Sequence, residues 1–339
     1  MKIVIDDKIP YVSGAVERMG QAVYLPGAAI GPDDVRDADA LIVRTRTRCD
    51  RRLLEGSRVQ FVATATIGFD HLDTAWLEQA GIGWANCPGC NAASVAQYVE
   101  SSLILLRRAG LLPATGGVVG VVGVGHVGSK VAAAARALGF DVLPCDPPRH
   151  EREGGTFYGL DELAERADVV TFHTPLTFDG PHPTFHLADE AFFARLRRRP
   201  VVMNSGRGEA VDTQALLAAL DDGRVRAAVV DTWENEPHID RRLLDRAFIA
   251  TPHVAGYSAD GKATGTRMAL EAVAGHFGLP SGFDIRPPRL PEDLRPAADP
   301  LDRKLQLYNP MDDTRRLKAA PESFEQLRGS YPLRRERWD

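Results

Sequence analysis

The sequence has few cysteines, no long apolar run and no excess of positive charge, and each of these absences excludes a class of protein. Four cysteines in 339 residues are too few and too scattered for a disulfide framework. No stretch approaches the roughly 18 uninterrupted apolar residues of a membrane span. A formal net charge of −5 argues against binding to nucleic acid or to an anionic membrane surface. The first ten residues carry two aspartates where a secretory signal is basic and then apolar, so we expect a cytoplasmic protein.

Two of the cysteines, Cys87 and Cys90, are spaced as a CxxC pair. A structural zinc site needs two more ligands at matching spacing, and a thioredoxin-like redox site needs a βαβ pattern immediately around the pair. The sequence shows neither, so we expect no metal site and no redox role for this pair.

The most informative segment that is present is a glycine pattern that follows a β-branched apolar run. Residues 118–128 read VVGVVGVGHVG, which predicts a strand, a tight phosphate-binding turn and the start of a helix. Gly123 permits the turn, Gly125 lets the backbone approach a pyrophosphate, and Gly128 lets the helix pack on the strand. The pyrophosphate of a dinucleotide is then expected at the helix N-terminus. The residues predicted to bind the cofactor in this turn are Gly123, Gly125, His126, Val127 and Gly128.

An acidic residue, Asp146, follows the next predicted strand, residues 140–145. A carboxylate at this place accepts hydrogen bonds from both ribose hydroxyls of NAD, whereas it repels the 2′-phosphate of NADP. Arg149, three residues later, is a nearby group that suits a 2′-phosphate. Because Asp146 lies at the strand end itself, we predict NAD as the cofactor.

The apolar runs of the chain alternate with polar or helical stretches, which is the pattern of α/β proteins with parallel sheets. In the first part of the chain these runs are residues 2–5, 40–43 and 61–64. After the glycine pattern they are residues 169–172, 201–204, 227–230 and 248–250. We therefore predict an α/β fold, with a Rossmann-type doubly wound parallel sheet, a smaller flavodoxin-like α/β domain and a short C-terminal tail.

The predicted order of domains follows from these runs and from a proline-rich stretch late in the chain. We expect a substrate domain in residues 1–100 that is completed by 256–279, and an NAD-binding domain in residues 101–255. Residues 280–300 are rich in proline and are predicted to be a linker. Residues 301–339 are too polar to bury a core of their own.

Three loops that follow predicted strands carry residues suited to chemistry. Residues 204–208 present Arg207, residues 231–237 carry three acids, and residues 251–257 contain His253. Ligands of open α/β sheets bind outside the carboxyl ends of the strands, so the three loops are expected to converge there. Taken one at a time, a surface arginine, a solvated acidic turn and a histidine at a helix end explain each loop without any catalysis.

Five motifs in this order resemble the D-isomer-specific 2-hydroxyacid dehydrogenase family. They are GVGHVG at 123–128, FHTPL at 172–176, NSGRGEAVD at 204–212, DTWENEP at 231–237 and TPHVAGYS at 251–258. The resemblance implies an NAD-dependent enzyme that moves a hydride between C2 of a 2-hydroxy acid and the nicotinamide. It implies that Arg207 holds the substrate, while Glu236 and His253 form an acid/base pair. The further cofactor positions that the resemblance implies are Thr174, Ser205, Gly206, Arg207, Asp231 and Gly256.

The chemistry of these side chains agrees with the roles that the resemblance implies. The substrate hydroxyl must lose a proton as the hydride leaves, and histidine, with a free pKa of about 6.5, accepts a proton near neutral pH. Glu236 is expected to orient the ring and to stabilise the imidazolium, as the carboxylate of a catalytic triad does. Arginine offers a fixed fork of donors that matches a carboxylate.

Further motifs are similar to members of the family that act on a small phosphorylated 2-hydroxy acid. They are VRTRT at 43–47, FVATATIGFDHLD at 61–73, PGCNA at 88–92, CDPPR at 145–149 and HVAGYSADGKATGT at 253–266. Thr45, Thr66 and Tyr257 match substrate-binding positions of those members. Arg44 and Arg46 alternate with threonines at the end of a predicted strand and are expected to face the phosphate. The alternative for this run is an edge strand protected by charge.

The sequence leaves two alternative functions open, and it also supports an expectation about the oligomeric state. A different member of the family, acting on phosphoglycerate or glycerate, is one alternative, and an NAD-sensing corepressor without enzymatic activity is the other. The resemblance implies a C-terminal dimerisation domain, which residues 301–339 match only as a shortened segment. Because this segment is too polar to fold alone, we expect a homodimer in which the tail packs across the partner subunit and Arg334 or Arg335 lies near the substrate phosphate. We expect no nucleic-acid or membrane partner, and a structural role for His71 and His173.

Overall fold

The computed structural model describes residues 1–338 and divides the chain into two compact units. The first unit contains Met1–Asn91 and Ser258–Leu290, and the second contains Ala92–Tyr257 and the chain from Pro291 onward. Within residues 1–338, no helix combines the length and the apolar character that a membrane span requires.

Parallel strands form one sheet in each unit. In the first unit they are β1 (Lys2–Asp6), β2 (Gln21–Leu25), β3 (Ala40–Val43), β4 (Phe61–Thr64) and β5 (Gly83–Ala85). In the second they are β6 (Val118–Val122), β7 (Asp141–Cys145), β8 (Val169–Phe172), β9 (Val201–Asn204), β10 (Ala227–Val230) and β11 (Ile249–Ala250). The first sheet has the order β2-β1-β3-β4-β5, and the second has the order β11-β10-β9-β8-β6-β7. The first is the flavodoxin-like order and the second reverses direction beside β6, so the predicted doubly wound α/β fold is confirmed.

Helices connect the strands in both units. The α-helices are α1 (Pro32–Val35), α2 (Arg51–Leu54), α3 (Thr74–Gln79), α4 (Ala92–Arg108), α5 (His126–Ala137), α6 (Pro147–Glu153), α7 (Leu160–Arg166), α8 (Glu190–Ala194), α9 (Thr213–Asp221), α10 (Arg241–Arg246), α11 (Ala259–His276), α12 (Pro300–Leu307), α13 (Pro310–Ala319) and α14 (Phe324–Gly329). Short 3-10 helices occupy Val16–Arg18, Gly27–Ala29, Gly208–Ala210 and Pro321–Ser323. Several helices have an aspartate as their N-cap. The Asp212 carboxylate, for example, accepts the N–H groups of Gln214 and Ala215 at 2.8 and 3.0 Å, which satisfies two free donors of α9.

The boundary between the units lies before α4 rather than inside it. A boundary between residues 100 and 101 was predicted from the sequence, whereas α4 belongs wholly to the second unit. Val99 and Leu103 of α4 are buried in one apolar cluster with Val119 and Val121 of β6, which explains why the helix stays with this sheet. The helix expected to complete the first domain is α11, and it does lie in the first unit.

The first part of residues 280–300, the stretch predicted to be a linker, belongs to the first unit. It has no helix or strand before α12, but Phe283 and Ile285 are only 3% and 8% exposed in the apolar core of that unit. Proline content indicated the lack of regular structure, while these two apolar side chains hold the segment in place.

The tail packs on the second unit of its own chain, where α13 lies against β11. Leu317 and Phe324 are fully buried in one apolar cluster with Trp233 and Ala250. The N–H of Ala250 donates to Thr314 Oγ1 at 3.1 Å, so the tail also satisfies a donor at the sheet edge. The tail is therefore docked on the open edge of its own sheet, which offers an apolar surface, and its expected packing across a partner subunit stays a prediction.

Candidate active site

The glycine loop, residues 123–128, joins β6 to α5 as the sequence predicts. Gly123 has a φ of +81°, and a Cβ added there would lie 2.9 Å from the carbonyl of His173. A Cβ added at Gly128 would lie 2.0 Å from the carbonyl oxygen of Gly123, so the helix packs closely on the loop. A Cβ at Gly125 would meet no atom within 4 Å. The open space at Gly125, where the twelve-residue helix α5 begins, is suited to a pyrophosphate.

Asp146 follows β7 and is hydrogen-bonded to the glycine loop. Its Oδ2 accepts the N–H of Val124 at 2.8 Å, and its Oδ1 accepts the N–H of Arg149 at 3.0 Å as the cap of α6. The guanidinium of Arg149 is occupied within the chain, because it donates to the Val124 carbonyl at 2.6 Å and to Glu153 Oε2 at 2.7 Å. Arg149 is therefore a poor candidate for a 2′-phosphate, which favours NAD over NADP at this strand end.

His253 and Glu236, predicted as an acid/base pair, are hydrogen-bonded in the structure. His253 Nδ1 lies 2.8 Å from Glu236 Oε2, and Glu236 Oε1 accepts the N–H of Trp233 at 2.8 Å. The two side chains are partly exposed, by 28% and 17%. With Glu236 ionised, Nδ1 carries the proton and donates it, so Nε2 is left as an acceptor. The arrangement presents a basic nitrogen and fixes its ring with a carboxylate.

Asp231, which follows β10, holds the histidine loop, residues 251–257. Its carboxylate accepts Thr251 Oγ1 at 2.6 Å and the N–H groups of Val254 and Ala255 at 2.8 and 3.0 Å. The side chain is 1% exposed, and burial raises the pKa of the Asp231 carboxyl. The cofactor contact expected of Asp231 stays a prediction; the structure adds that this carboxylate fixes the backbone of the histidine loop.

Arg207 lies on the loop after β9, and Asn204 shapes that loop. Asn204 Nδ2 donates to the carbonyls of Arg207 and Gly208 at 2.9 and 3.3 Å, and Asn204 Oδ1 accepts the N–H of Gly206 at 3.2 Å. A Cβ at Gly208 would lie 2.0 Å from the carbonyl oxygen of Trp233, so only glycine fits there. Within residues 1–338 the Arg207 guanidinium makes one hydrogen bond, to the Gly206 carbonyl at 2.9 Å, and its other donors are available to a ligand. This role of Asn204 was not predicted from the sequence, although a strand-terminal asparagine is a signal for a capped turn.

Arg44, expected to face the substrate phosphate, is instead paired with Asp6. Its Nε and Nη2 each lie 3.1 Å from a carboxylate oxygen of Asp6, which has no exposed surface. A buried carboxylate without a partner is costly, so Asp6 takes both arms of the guanidinium. The structure thus gives Arg44 a second role, to neutralise a buried acid with two of its nitrogens, and its expected contact with the phosphate stays a prediction.

Thr45, Arg46 and Thr66 are the other residues expected to contact the substrate from the first unit. Thr45 and Arg46 are exposed in a turn, which the N–H of Thr47 closes by donating to the carbonyl three residues earlier at 3.2 Å. Thr66 Oγ1 donates to the carbonyl of Gly68 at 2.8 Å. Arg46 has no ion pair within residues 1–338, so it is the arginine of this run that best suits a phosphate. These substrate contacts stay predictions.

Two arginines of the tail approach the histidine loop. Arg328 Nη1, in α14, lies 3.7 Å from Glu236 Oε2, and its side chain is hydrogen-bonded to Tyr257. Arg334, expected near the substrate phosphate, is 8% exposed and is bound to backbone carbonyls of its own chain. Because its donors are taken, Arg334 is not free to bind an anion, and the expectation for the alternative residue, Arg335, stays a prediction. Arg328 was missed because its local sequence is no different from that of other surface arginines.

His173 and His71 have the surroundings of structural residues. His173 Nε2 lies 2.9 Å from Thr171 Oγ1, and burial lowers the pKa of His173 to about 3. Its Nδ1 lies 3.4 Å from Ser205 Oγ. His71 Nε2 lies 3.0 Å from Thr64 Oγ1, and burial lowers the pKa of His71 as well. Both rings are therefore neutral at pH 7 and bind neighbouring hydroxyl groups.

Cys87 of the CxxC pair is a buried thiol. Its Sγ donates to the carbonyls of Thr64 and Gly265 at 3.3 and 3.2 Å. Burial raises the pKa of the Cys87 thiol to about 12, so the reactive thiolate is scarce at neutral pH. Over residues 1–338, no group of three or more His, Cys, Asp or Glu side chains is arranged to hold a metal ion.

Comparisons with known proteins place the chain in a family. The model of the D-isomer specific 2-hydroxyacid dehydrogenase, NAD binding domain, matches residues 105–255. The erythronate-4-phosphate dehydrogenase of Bacteroides thetaiotaomicron is 53% identical, over 99% of this chain and 97% of its own length. That of Porphyromonas gingivalis is 44% identical, over 99% of this chain and 94% of its own. The chain belongs to the erythronate-4-phosphate dehydrogenase family.

Solved structures share the fold at lower identity. The D-lactate dehydrogenase of Aquifex aeolicus, complexed with NAD and lactic acid, has a TM-score of 0.62 and 22% identity, over 82% of this chain and 96% of its own. The apo D-mandelate dehydrogenase of Rhodotorula graminis has a TM-score of 0.67 and 21% identity, over 85% of this chain and 99% of its own. At these identities the likeness shows the fold alone.

The chain is an NAD-dependent oxidoreductase, and its residues fit this cofactor. Gly125 offers an open space for the pyrophosphate. Thr174 Oγ1 is buried and has no hydrogen-bond partner within residues 1–338, and buried polar atoms are seldom left so unless a ligand or water completes them. All the cofactor contacts expected from the sequence stay predictions, those of Gly123, Gly125, Gly128, Asp146 and Thr174 as well as those of His126, Val127, Ser205, Gly206, Arg207, Asp231 and Gly256.

Replacing Asp146 by serine tests the assignment of the ribose site. Serine also caps helices, so α6 is kept, while the negative charge beside the 2′ position is lost. A like charge at 4 Å costs about 1 kcal/mol even in water, so the ratio of kcat/KM for NAD to that for NADP should fall by roughly fivefold or more. Asp141→Ser, at the exposed start of β7, is the matched control and should keep the parent ratio. An unchanged ratio in Asp146→Ser contradicts the assignment.

Proposed function

We propose that the protein oxidises 4-phospho-D-erythronate to 2-oxo-3-hydroxy-4-phosphobutanoate with NAD, as a step of pyridoxal 5′-phosphate biosynthesis. The observation that carries the proposal is the 2.8 Å bond between His253 Nδ1 and Glu236 Oε2, beside a loop that presents Arg207. The names of the relatives that match nearly the whole chain support this substrate and do not favour the two alternatives.

In this reaction the residues of the chain accept one proton from the substrate and bind its carboxylate. NAD, when bound, supplies the acceptor for the hydride that leaves C2. His253 Nε2 takes the proton of the C2 hydroxyl, and the Glu236 carboxylate stabilises the resulting imidazolium. The free donors of Arg207 match the substrate carboxylate, which fixes C2 and polarises the carbonyl that forms there. The proton, the hydride and the charge are thereby accounted for by named groups.

The proposed contacts for the far end of the substrate come from one exposed arginine and from hydroxyl groups. Arg46, Thr45 and Thr66 in the first unit are suited to a phosphate, and Tyr257 is the remaining residue expected at the substrate. The small phosphorylated hydroxy acid is thus the expected partner. A homodimer and a cytoplasmic location, both expected from the sequence, stay predictions.

His253→Asn tests the proposed base. His253 has a φ of +56°, a region that asparagine tolerates better than alanine, so the backbone of the loop is kept. Loss of the general base should lower kcat by roughly 10²-fold or more, with NAD affinity nearly unchanged. Steady-state kinetics and calorimetric titration with NAD measure the two quantities. A kcat near that of the parent rejects His253 as the base.

The substrate itself is tested by NADH formation from 4-phosphoerythronate and 3-phosphoglycerate, measured side by side. We expect kcat/KM to be higher for 4-phosphoerythronate by roughly 10²-fold, since one missing carbon unit in a fitted pocket costs about that much. A preference for 3-phosphoglycerate supports the other dehydrogenase function. Binding of NAD without NADH formation from either acid supports the corepressor function.

A further inference from the structure

Arg334 is a buried arginine whose guanidinium is surrounded by acceptors of the histidine loop. Its Nη1 donates to the carbonyls of Val254 and Tyr257 at 3.0 and 2.8 Å, and its Nη2 donates to the carbonyl of Ala255 at 2.5 Å. Its Cζ lies 3.8 Å from the ring centroid of Tyr308. One side chain of the tail therefore binds three carbonyl groups of the loop that carries the proposed base.

The same guanidinium also reaches α4. Nη2 donates to the carbonyl of Ser94 at 3.2 Å, and Nε donates to Gln97 Oε1 at 2.9 Å. Gln97 Nε2 in turn donates to the carbonyl of Arg335 at 2.8 Å. Arg334 thus ties the histidine loop to a 17-residue helix of the same unit, which is a rigid support.

The loop is held from its other side by Asp231. The N–H groups of Val254 and Ala255 donate to the Asp231 carboxylate, while the carbonyls of these two residues accept from Arg334. The backbone next to His253 therefore lies between a buried anion and a buried cation. Charged partners make these hydrogen bonds stronger than neutral ones, and both charges are compensated only when the loop is in place.

We propose that Arg334 is a positioning residue of this enzyme, which sets the place of His253 through the histidine loop. The inference rests on the proposed function, because it takes His253 as the group that accepts the substrate proton. Arg334 is buried and its donors are occupied, so it acts on the loop and touches no substrate. A lysine keeps the charge but lacks the planar fork that binds several carbonyls at once.

A merely stabilising role for Arg334 is the competing explanation, and Arg107 offers a matched control. Arg107 also binds backbone carbonyls, those of Leu138 and Gly116 at 2.7 and 2.8 Å. Its Cζ also lies 3.8 Å from an aromatic centroid, that of Phe140. Arg107 belongs to the same unit, but its hydrogen bonds go to other loops than the histidine loop. Its loss should cost stability without moving the proposed base.

The experiment compares Arg334→Ala, Arg334→Lys and Arg107→Ala with the parent. We expect Arg334→Ala to lose roughly 10- to 100-fold in kcat with an unchanged Kd for NAD, because small displacements of a catalytic group have effects of this size. Millimolar guanidinium should restore part of that kcat, and equal urea should not. The kcat of Arg334→Lys should be lower than that of Arg334→Ala with added guanidinium. Arg107→Ala should keep the parent kcat.

A second readout needs no substrate. Chymotrypsin cuts after tyrosine, so the rate of cleavage after Tyr257 reports opening of the histidine loop. This rate should rise in Arg334→Ala and stay at the parent value in Arg107→Ala. Should Arg334→Ala fail to fold, Arg334→Lys gives the same comparison.

Two kinds of failure are distinguishable in this design. If the parent forms no NADH from 4-phosphoerythronate, the proposed function fails, while the cleavage rates still decide whether Arg334 holds the loop. If the parent is active, the inference is overturned by a parent kcat in Arg334→Ala, by equal losses of kcat in Arg334→Ala and Arg107→Ala, or by unchanged cleavage after Tyr257.

Discussion

The buried carboxylate of Asp231 is the interaction on which the candidate active site depends. It lies at the end of β10, and its oxygens accept three donors of the histidine loop. Burial disfavours its charge, and the hydrogen bonds from Thr251, Val254 and Ala255 compensate part of that cost. A hydrogen bond to a charged group typically contributes about 1.5–3 kcal/mol, so three of them give the loop one strongly preferred position.

The remaining parts of the site are arranged around that fixed loop. Glu236 orients the ring of His253, and it is itself placed by the N–H of Trp233. The carbonyl of Trp233 occupies the space that a side chain at position 208 would need. Gly208 therefore lets the loop that carries Arg207 approach Trp233 closely. Successive strand ends in one sheet thus bring an arginine, a carboxylate and a histidine into neighbouring loops, which is the reason that an open α/β sheet can form such a site.

The strands and loops that were predicted correctly from the sequence are those that a short local sequence pattern determines. The runs of β3 and β4 were predicted with the bounds that the structure shows, because strands buried on both faces read as continuous apolar runs. Edge strands β2 and β5 were missed, since they are only half buried and their short segments lack such a run. The glycine loop was predicted because the spacing of its glycines after an apolar run is a local pattern, and the close packing of Gly128 on the carbonyl of Gly123 is local as well.

The contacts that were missed join residues far apart in the chain. Arg44 and Asp6 are separated by 38 positions, and Arg334 and Val254 by 80. No local pattern distinguishes a charge that compensates a buried partner from one that faces a ligand, so both arginines were expected to bind phosphate. Burial of the opposite charge decides the matter, and burial is a property of the folded chain.

Amide hydrogen exchange at Val254 and Ala255 in the parent protein tests the central claim most directly. Both N–H groups donate to the buried Asp231 carboxylate, so they can exchange only when the histidine loop opens. The account predicts that these two amides, although they lie outside any helix or strand, exchange as slowly as those of the neighbouring sheet. Exchange as fast as that of the exposed turn at Thr45 and Arg46 would contradict it.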